Sequence, residues 1–274
     1  YKRQPIGGSI FLSHKKKVDI DHLLQMPRFD FFMLKKESKK ITGKKLRDVA
    51  VISANNDAQK ILADDGRDIK LQIDQDAENL ITEYISTRSN LPILGEEFGH
   101  KGNLGSDFWV IDPLDGTSNY FRNIPICAVS IALMHNNEPI LGVINDFFSE
   151  NLYFASKEKG AFVNNKRINV SNISEHSKGT IVTGIPSKKE YSKEYFSRMI
   201  DDFKCWKKVR MIGSAAIANT FVAAGKAEIY REEGIFLWDI AAGAIIVREA
   251  GGKISMSTAD NKFRLDAEFT NGKV

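Results

Sequence analysis

The chain has 274 residues, 42% hydrophobic and 27% charged, a soluble globular composition with length enough for a sizeable core or two closely packed subdomains. No apolar run approaches the roughly eighteen residues of a membrane span, and Ile10-Phe11-Leu12 is too short for a signal peptide, so a reducing cytoplasm is the default expectation. The net charge of +4 hides an asymmetry: residues 1–47 hold thirteen Lys/Arg against four Asp/Glu, a local +9 that leaves −5 for the remainder.

That leading segment carries Lys15-Lys16-Lys17 and the run Lys35-Lys36 to Lys39-Lys40 but little periodicity, and residues 1–43 read as a solvated basic extension. An electrostatic contact with nucleic acid is the sharper alternative, although no interleaved aromatics or binding motif accompany it. Next, Leu46, Val49/Ala50, Ser53/Ala54, Asp57/Ala58 and Ile61/Leu62 follow a helical repeat that Gly66 ends. Asp74 to Arg88 reads as a second helix, with Ala77, Leu80, Ile81, Tyr84 and Ile85 on one face. Strands are expected at Phe108–Ile111, Ile126–Met134 and Pro139–Phe148, and a hairpin over Asn151–Val170 with Asn164-Asn165 at its turn. A polar break near Ser171–Lys178 separates subdomains 44–172 and 173–274. Beyond it come Thr180–Ile185, a helix around Ser192–Phe203, Val209–Ile212, a helix at Ser214–Ala224, Ala227–Tyr230, a helix from Asp239, and Lys253–Met256. Strands alternating with helices imply an α/β arrangement. Cys127 and Cys205 lack metal-ligand spacing and are expected to be buried thiols rather than a disulfide.

Three acidic motifs carry the chemistry. Trp109-Val-Ile-Asp112-Pro-Leu-Asp115-Gly-Thr117 sets two carboxylates three residues apart after an apolar run. Pro113 fixes φ and removes a donor, and Gly116 permits an unusual backbone, so Asp112, the Leu114 carbonyl and Asp115 can be aimed at one point. Hard oxygen ligands beside free amides suit Mg²⁺ carrying a phosphate. Gly95-Glu96-Glu97 taken singly is a solvated loop, and Asp239 in Trp238-Asp239-Ile-Ala-Ala-Gly243 taken singly is a helix cap. Together the motifs supply four acidic side chains and one carbonyl, enough for a multi-metal phosphate site.

In this order, with Ser118-Asn119-Tyr120 after the first motif and Glu249-Ala250-Gly251-Gly252 after the last, they resemble the inositol monophosphatase family, Mg²⁺-dependent phosphatases of a superfamily that also holds fructose-1,6-bisphosphatases and bisphosphate nucleotidases. The resemblance runs from about Lys44 to the C-terminus. It implies a layered αβαβα sandwich, a small phosphorylated polyol or sugar as substrate, two or three Mg²⁺ ions and a homodimer. It assigns Glu96, Asp112, the Leu114 carbonyl, Asp115 and Asp239 to the metals, with Glu96, alone or together with Glu97, assisting a weaker third ion. Thr117, polarised by Asp74, would orient the attacking water, with Glu96 also serving catalysis. Amides of Gly116 and Thr117 would bind phosphate oxygens, and Ala215, Glu232 and Asp115 would contact substrate. Either Arg67 or Lys70 would replace a basic residue the family often carries. Inositol monophosphate or a related sugar phosphate is the expected substrate class. Fructose-1,6-bisphosphate, a 3′(2′),5′-bisphosphate nucleotide, and a regulatory RNA- or polymerase-associated role are the alternatives.

Overall fold

In the computed structural model, residues 60–64, 69–186, 190–260 and 263–274 are described. A short antiparallel pair, β1 (Ile61–Asp64) and β2 (Ile69–Leu71), leads directly into α1 (Gln72–Ser86). A seven-stranded sheet follows in simple chain order: β3 (Ile93–Gly95), β4 (Asp107–Asp115), β5 (Ala128–His135), β6 (Glu138–Asp146), β7 (Asn151–Ser156), β8 (Ala161–Val163) and β9 (Lys166–Ile168). It is antiparallel except for the β3–β4 pair, and the short helix α2 (Thr117–Phe121) joins β4 to β5. The second sheet, ordered β11-β10-β12-β14-β13, contains β10 (Thr180–Thr183), β11 (Lys208–Met211), β12 (Ile229–Phe236), β13 (Lys253–Thr258) and β14 (Arg264–Thr270). Helices α3 (Lys193–Phe203), α4 (Ala215–Ala223) and α5 (Leu237–Glu249) connect its strands.

Side-chain alternation sorts these elements into layers. Phe108 and Val110 of β4 face a core containing α4, α5 and, from the second sheet, Tyr230, Ala267 and Phe269. Trp109 and Ile111, one residue out of phase, face Ile73, Ile81 and Ile85 of α1. Across the second sheet, Ile181 and Ile229 pack with Trp206 and with Phe203 at the end of α3. The order is therefore α1, large sheet, α4 with α5, small sheet, α3, which is the layered αβαβα sandwich expected. Lying between two sheets, α4 and α5 are apolar nearly all round, as a helix without a solvent face must be. Gly142 of β6 lets α5 settle on the large sheet, since a Cβ there would stand 2.6 Å from the Ala242 carbonyl. Among the described residues, no helix is long and apolar enough to cross a membrane.

The helix expected at Asp74–Arg88 begins two residues earlier, and those at Ser192 and Ser214 start where these serines cap them through their hydroxyls. Ile61 and Leu62, read as the end of a helix, lie in β1; the remainder of that helix, Gly66 and residues 1–43 fall outside the described residues. The hairpin over Asn151–Val170 is instead three strands, β7–β9. Its Asn164-Asn165 turn joins β8 to β9, with φ of 46° and 75° as a two-residue turn between twisted strands demands. Cys127 is buried, but Cys205 is exposed because the following Trp206 takes the inward position.

Candidate active site

A regular strand would send Asp112 and Asp115 to opposite faces, because side chains alternate with period two. The β4–β5 register avoids this: Asp112 pairs with Ser130 but Asp115 with Ala128, so three steps on β4 match two on β5. Pro113, which has no N–H for the ladder, lies in this bulge. Leu114 is thereby turned into the core beneath α1, and Asp115 returns to the side of Asp112. On that side α5 begins, and Asp112, Asp115 and Asp239 present carboxylate oxygens all within 4.8 Å of one another.

Each carboxylate keeps part of itself for local structure. Asp112 Oδ1 accepts the Leu114 amide at 2.9 Å, whereas its Oδ2 is buried with no hydrogen-bond donor. Asp115 lies at the start of α4, accepting the Ser214 hydroxyl and the amides of Ala215 and Ala216 at 3.3 and 2.7 Å. Asp239, three positions into α5, accepts the Phe236 amide at 3.1 Å through Oδ2. A capping role for Asp239 is therefore real, and it takes only one oxygen.

Burial holds Asp112 well above the usual carboxylate range, reinforced by the charges of Glu96, Asp115 and Asp239. Asp239 is raised by burial and then by Glu96, Asp115 and Glu232. Asp115 rises only to about 6, because the Ser214 hydroxyl and the α4 amides oppose its burial. Carboxylates this dry and this close repel one another unless protons or a cation intervene. A hard, all-oxygen donor set with an unsatisfied buried Asp112 oxygen fits a Mg²⁺-type ion.

Glu96 comes from the loop between β3 and β4, closed by reciprocal hydrogen bonds between Gly95 and Gly99 at 3.0 and 3.1 Å. Its neighbour Glu97 is paired with Lys70 at 2.8 Å, so it is Lys70 that stands beside this acidic loop; Arg67 lies outside the described residues. Asp74, at the third position of α1, accepts the Leu71 amide through Oδ2 and buries Oδ1 with no partner. Burial, with the charges of Glu96 and Glu97, pushes it up to about 8. Thr117 opens α2 after Gly116, whose φ is 93° and whose Cβ, if present, would stand 2.8 Å from the Ile126 carbonyl. The Thr117 hydroxyl donates to the Leu114 carbonyl at 3.0 Å rather than to Asp74, so the expected Thr117–Asp74 hydrogen bond is not formed. Glu232 is buried in β12 against Gly184 and accepts the Tyr230 hydroxyl at 2.9 Å; burial lifts it to about 7.

Two contributors escaped sequence reasoning. Asn119 of α2 donates to the carbonyls of Ile126 and Ile212 at 2.9 and 2.7 Å, tying the Gly116 turn to the segment ahead of α4. Glu78 of α1 is buried beneath the Glu96 loop. Its sequence signal was an acidic residue one turn after Asp74, inside the stripe Ile73, Ala77, Ile81 and Ile85.

The family model of the inositol monophosphatase family matches residues 31–272, reaching further forward than Lys44 and into the segment read as an extension. A protein named Nus factor SuhB from Xylella fastidiosa is 40% identical over 195 residues, 68% of each chain. An inositol-1-monophosphatase from Synechocystis sp. is 37% identical over 197 residues, 69% of this chain and 67% of its own. The solved inositol monophosphatase from Anabaena (Nostoc) sp. superposes with a TM-score of 0.68 at 37% identity, covering 73% of this chain and 81% of that one.

Proposed function

We propose that this chain, which belongs to the inositol monophosphatase family, is a Mg²⁺-dependent hydrolase of phosphate monoesters of inositol or a related sugar. The observation that carries the proposal is the buried, mutually repelling set of Asp112, Asp115 and Asp239, with Asp112 Oδ2 left without a donor. These three, with Glu96 and the Leu114 carbonyl, would hold two Mg²⁺ ions, and Glu96 would serve a third. When bound, the ions supply an activated water and neutralise charge on the departing oxygen.

The chain's own groups do the rest. The Thr117 hydroxyl, donating to the Leu114 carbonyl, keeps its lone pairs to accept a hydrogen bond from the attacking water. Asp74, whose buried Oδ1 has no partner, would accept a proton in its carboxylate form. The first amides of α2 have no intrahelical acceptors, so those of Gly116 and Thr117 bind phosphate oxygens. The Ala215 amide serves substrate indirectly, by fixing Asp115. Glu232 accepts hydrogen bonds from substrate hydroxyls. No cysteine or histidine nucleophile is needed for this direct in-line hydrolysis.

A phosphate-release panel tests the proposal, using inositol monophosphate, fructose 1,6-bisphosphate and a 3′,5′-bisphosphonucleoside with Mg²⁺ or with chelator. Release from the inositol ester that chelator abolishes is expected. Preference for either bisphosphate would move the substrate assignment, and no release from any would overturn the proposal. A second role, regulatory and RNA- or polymerase-associated, is favoured by the relative named as a Nus factor and by the +9 charge of residues 1–47. RNA binding that weakens steeply with salt would support it.

A further inference from the structure

Building on the assignment of Glu96 as a metal ligand, we propose that Glu78 is a positioning residue that holds the Gly95–Gly99 loop, and with it Glu96, in place for the metal. Glu78 lies one helical turn after Asp74 on the face of α1 that packs against β4, and only 2% of it is exposed. A carboxylate in such a place is costly unless its oxygens are satisfied. No cation lies within ion-pair distance of it among the described residues. Its partners are two consecutive loop amides: Glu97 N–H donates to Oε2 at 2.8 Å and Phe98 N–H to Oε1 at 3.2 Å.

The other amides of the loop are accounted for elsewhere. Gly95 and Gly99 bond each other, and Glu96 N–H donates to the Ile111 carbonyl at 3.2 Å. The two remaining N–H groups, those that follow Glu96 directly, thus depend on Glu78 alone. Gly95 completes the arrangement. A Cβ there would lie 1.9 Å from Glu78 Oε1, while the backbone at Gly95 is not in the left-handed region. Glycine is needed at 95 for the Glu78 carboxylate, not for the turn. One helix therefore carries both Asp74 and the anchor of the Glu96 loop.

Groups that orient metal ligands typically change metal affinity about 10–100-fold when lost. Three variants test the role: Glu78→Ala, Gly95→Ala and the double substitution. Mg²⁺ binding is measured by calorimetry, with kcat against Mg²⁺ concentration and metal-free thermal unfolding alongside. Glu78→Ala and Gly95→Ala should each weaken Mg²⁺ binding about tenfold or more, with kcat at saturating Mg²⁺ falling by a smaller factor. In the double variant, the Gly95→Ala methyl occupies the space the carboxylate has vacated, so the loss should be no greater than for Glu78→Ala alone. Gly95→Ala keeps the carboxylate and carries the test by itself where Glu78→Ala fails to fold. Additive losses in the double variant, or a lowered unfolding temperature with unchanged Mg²⁺ affinity, would overturn the role of Glu78 while leaving the metal site standing. A wild type that binds no Mg²⁺ would overturn the metal site and this role together.

Discussion

Asp112, Asp115 and Asp239 grow out of a bulged strand and a helix start packed between the two sheets, and each spends oxygens on backbone amides. Glu96, which shares their charge, sits instead on a five-residue loop whose Phe98 side chain is half exposed. One half of the site is fixed by the core of the sandwich; the other is a loop held by its own backbone bonds, by Lys70 on Glu97 and by the Glu78 carboxylate reaching up from α1. Acidic groups can thus be brought together either by burial or by a tether, and the two routes should fail differently.

Breaking the buried half should do the most damage to activity. Asp112→Asn removes the charge proposed to serve two ions, and phosphate release should be abolished. The fold should survive, and metal-free thermal unfolding should move upward near neutral pH, because the cost of keeping an ionisable carboxyl buried beside other carboxylates is gone. Sizeable Mg²⁺-dependent turnover in this variant would contradict the assignment. Next in size, Thr117→Ala should lower kcat about 10²–10⁴-fold, the usual worth of a positioned proton-handling group, with a small change in KM. A change confined to KM would make Thr117 a substrate contact instead.

A pH series sharpens the comparison, because the raised carboxyls belong to the buried half and to Asp74 and Glu232. A carboxyl whose folded pKa exceeds its unfolded value stabilises the fold when protonated. That contribution is complete below the unfolded values of 3.8 and 4.5 and is lost as pH rises through about 6, 7 and 8 for Asp115, Glu232 and Asp74. Metal-free protein should therefore unfold at progressively lower temperature between about pH 5 and pH 8. Mg²⁺, which binds the deprotonated ligands, should flatten or reverse the trend. A metal-free unfolding temperature that rises across this window would contradict the burial of these groups. The smallest effect is expected from deleting residues 1–30, which precede the family match and every proposed ligand. Turnover should stay near the full-length rate; a folded but inactive truncation would place that segment at the site.

The sequence was most legible where one interaction dominates. Asp112-Pro-Leu-Asp115-Gly-Thr117 combines a residue that cannot donate with one that tolerates φ of 93°, so its departure from strand geometry could be read directly. Helices α3 and α4 lie where they are expected, and the structure shows Ser192 and Ser214 capping them through their hydroxyls. The tertiary pairings were less visible. Glu78 looked like one more acidic helix residue, because only the folded loop brings the Glu97 and Phe98 amides to it. The Thr117 hydroxyl was assigned to Asp74, but Leu114, turned by the bulge, offers its carbonyl instead. Strand β14 was missed although Leu265, Ala267 and Phe269 alternate, since Arg264, Asp266 and Glu268 between them gave the segment a polar cast.

Mg²⁺ binding by isothermal titration calorimetry, wild type against Asp112→Asn at neutral pH, tests the central claim most directly. The wild type should bind at least two ions, and Asp112→Asn should lose more than one of them. A wild type that binds no Mg²⁺, or an Asp112→Asn protein that binds it with unchanged stoichiometry and affinity, would contradict a metal site built on this carboxylate.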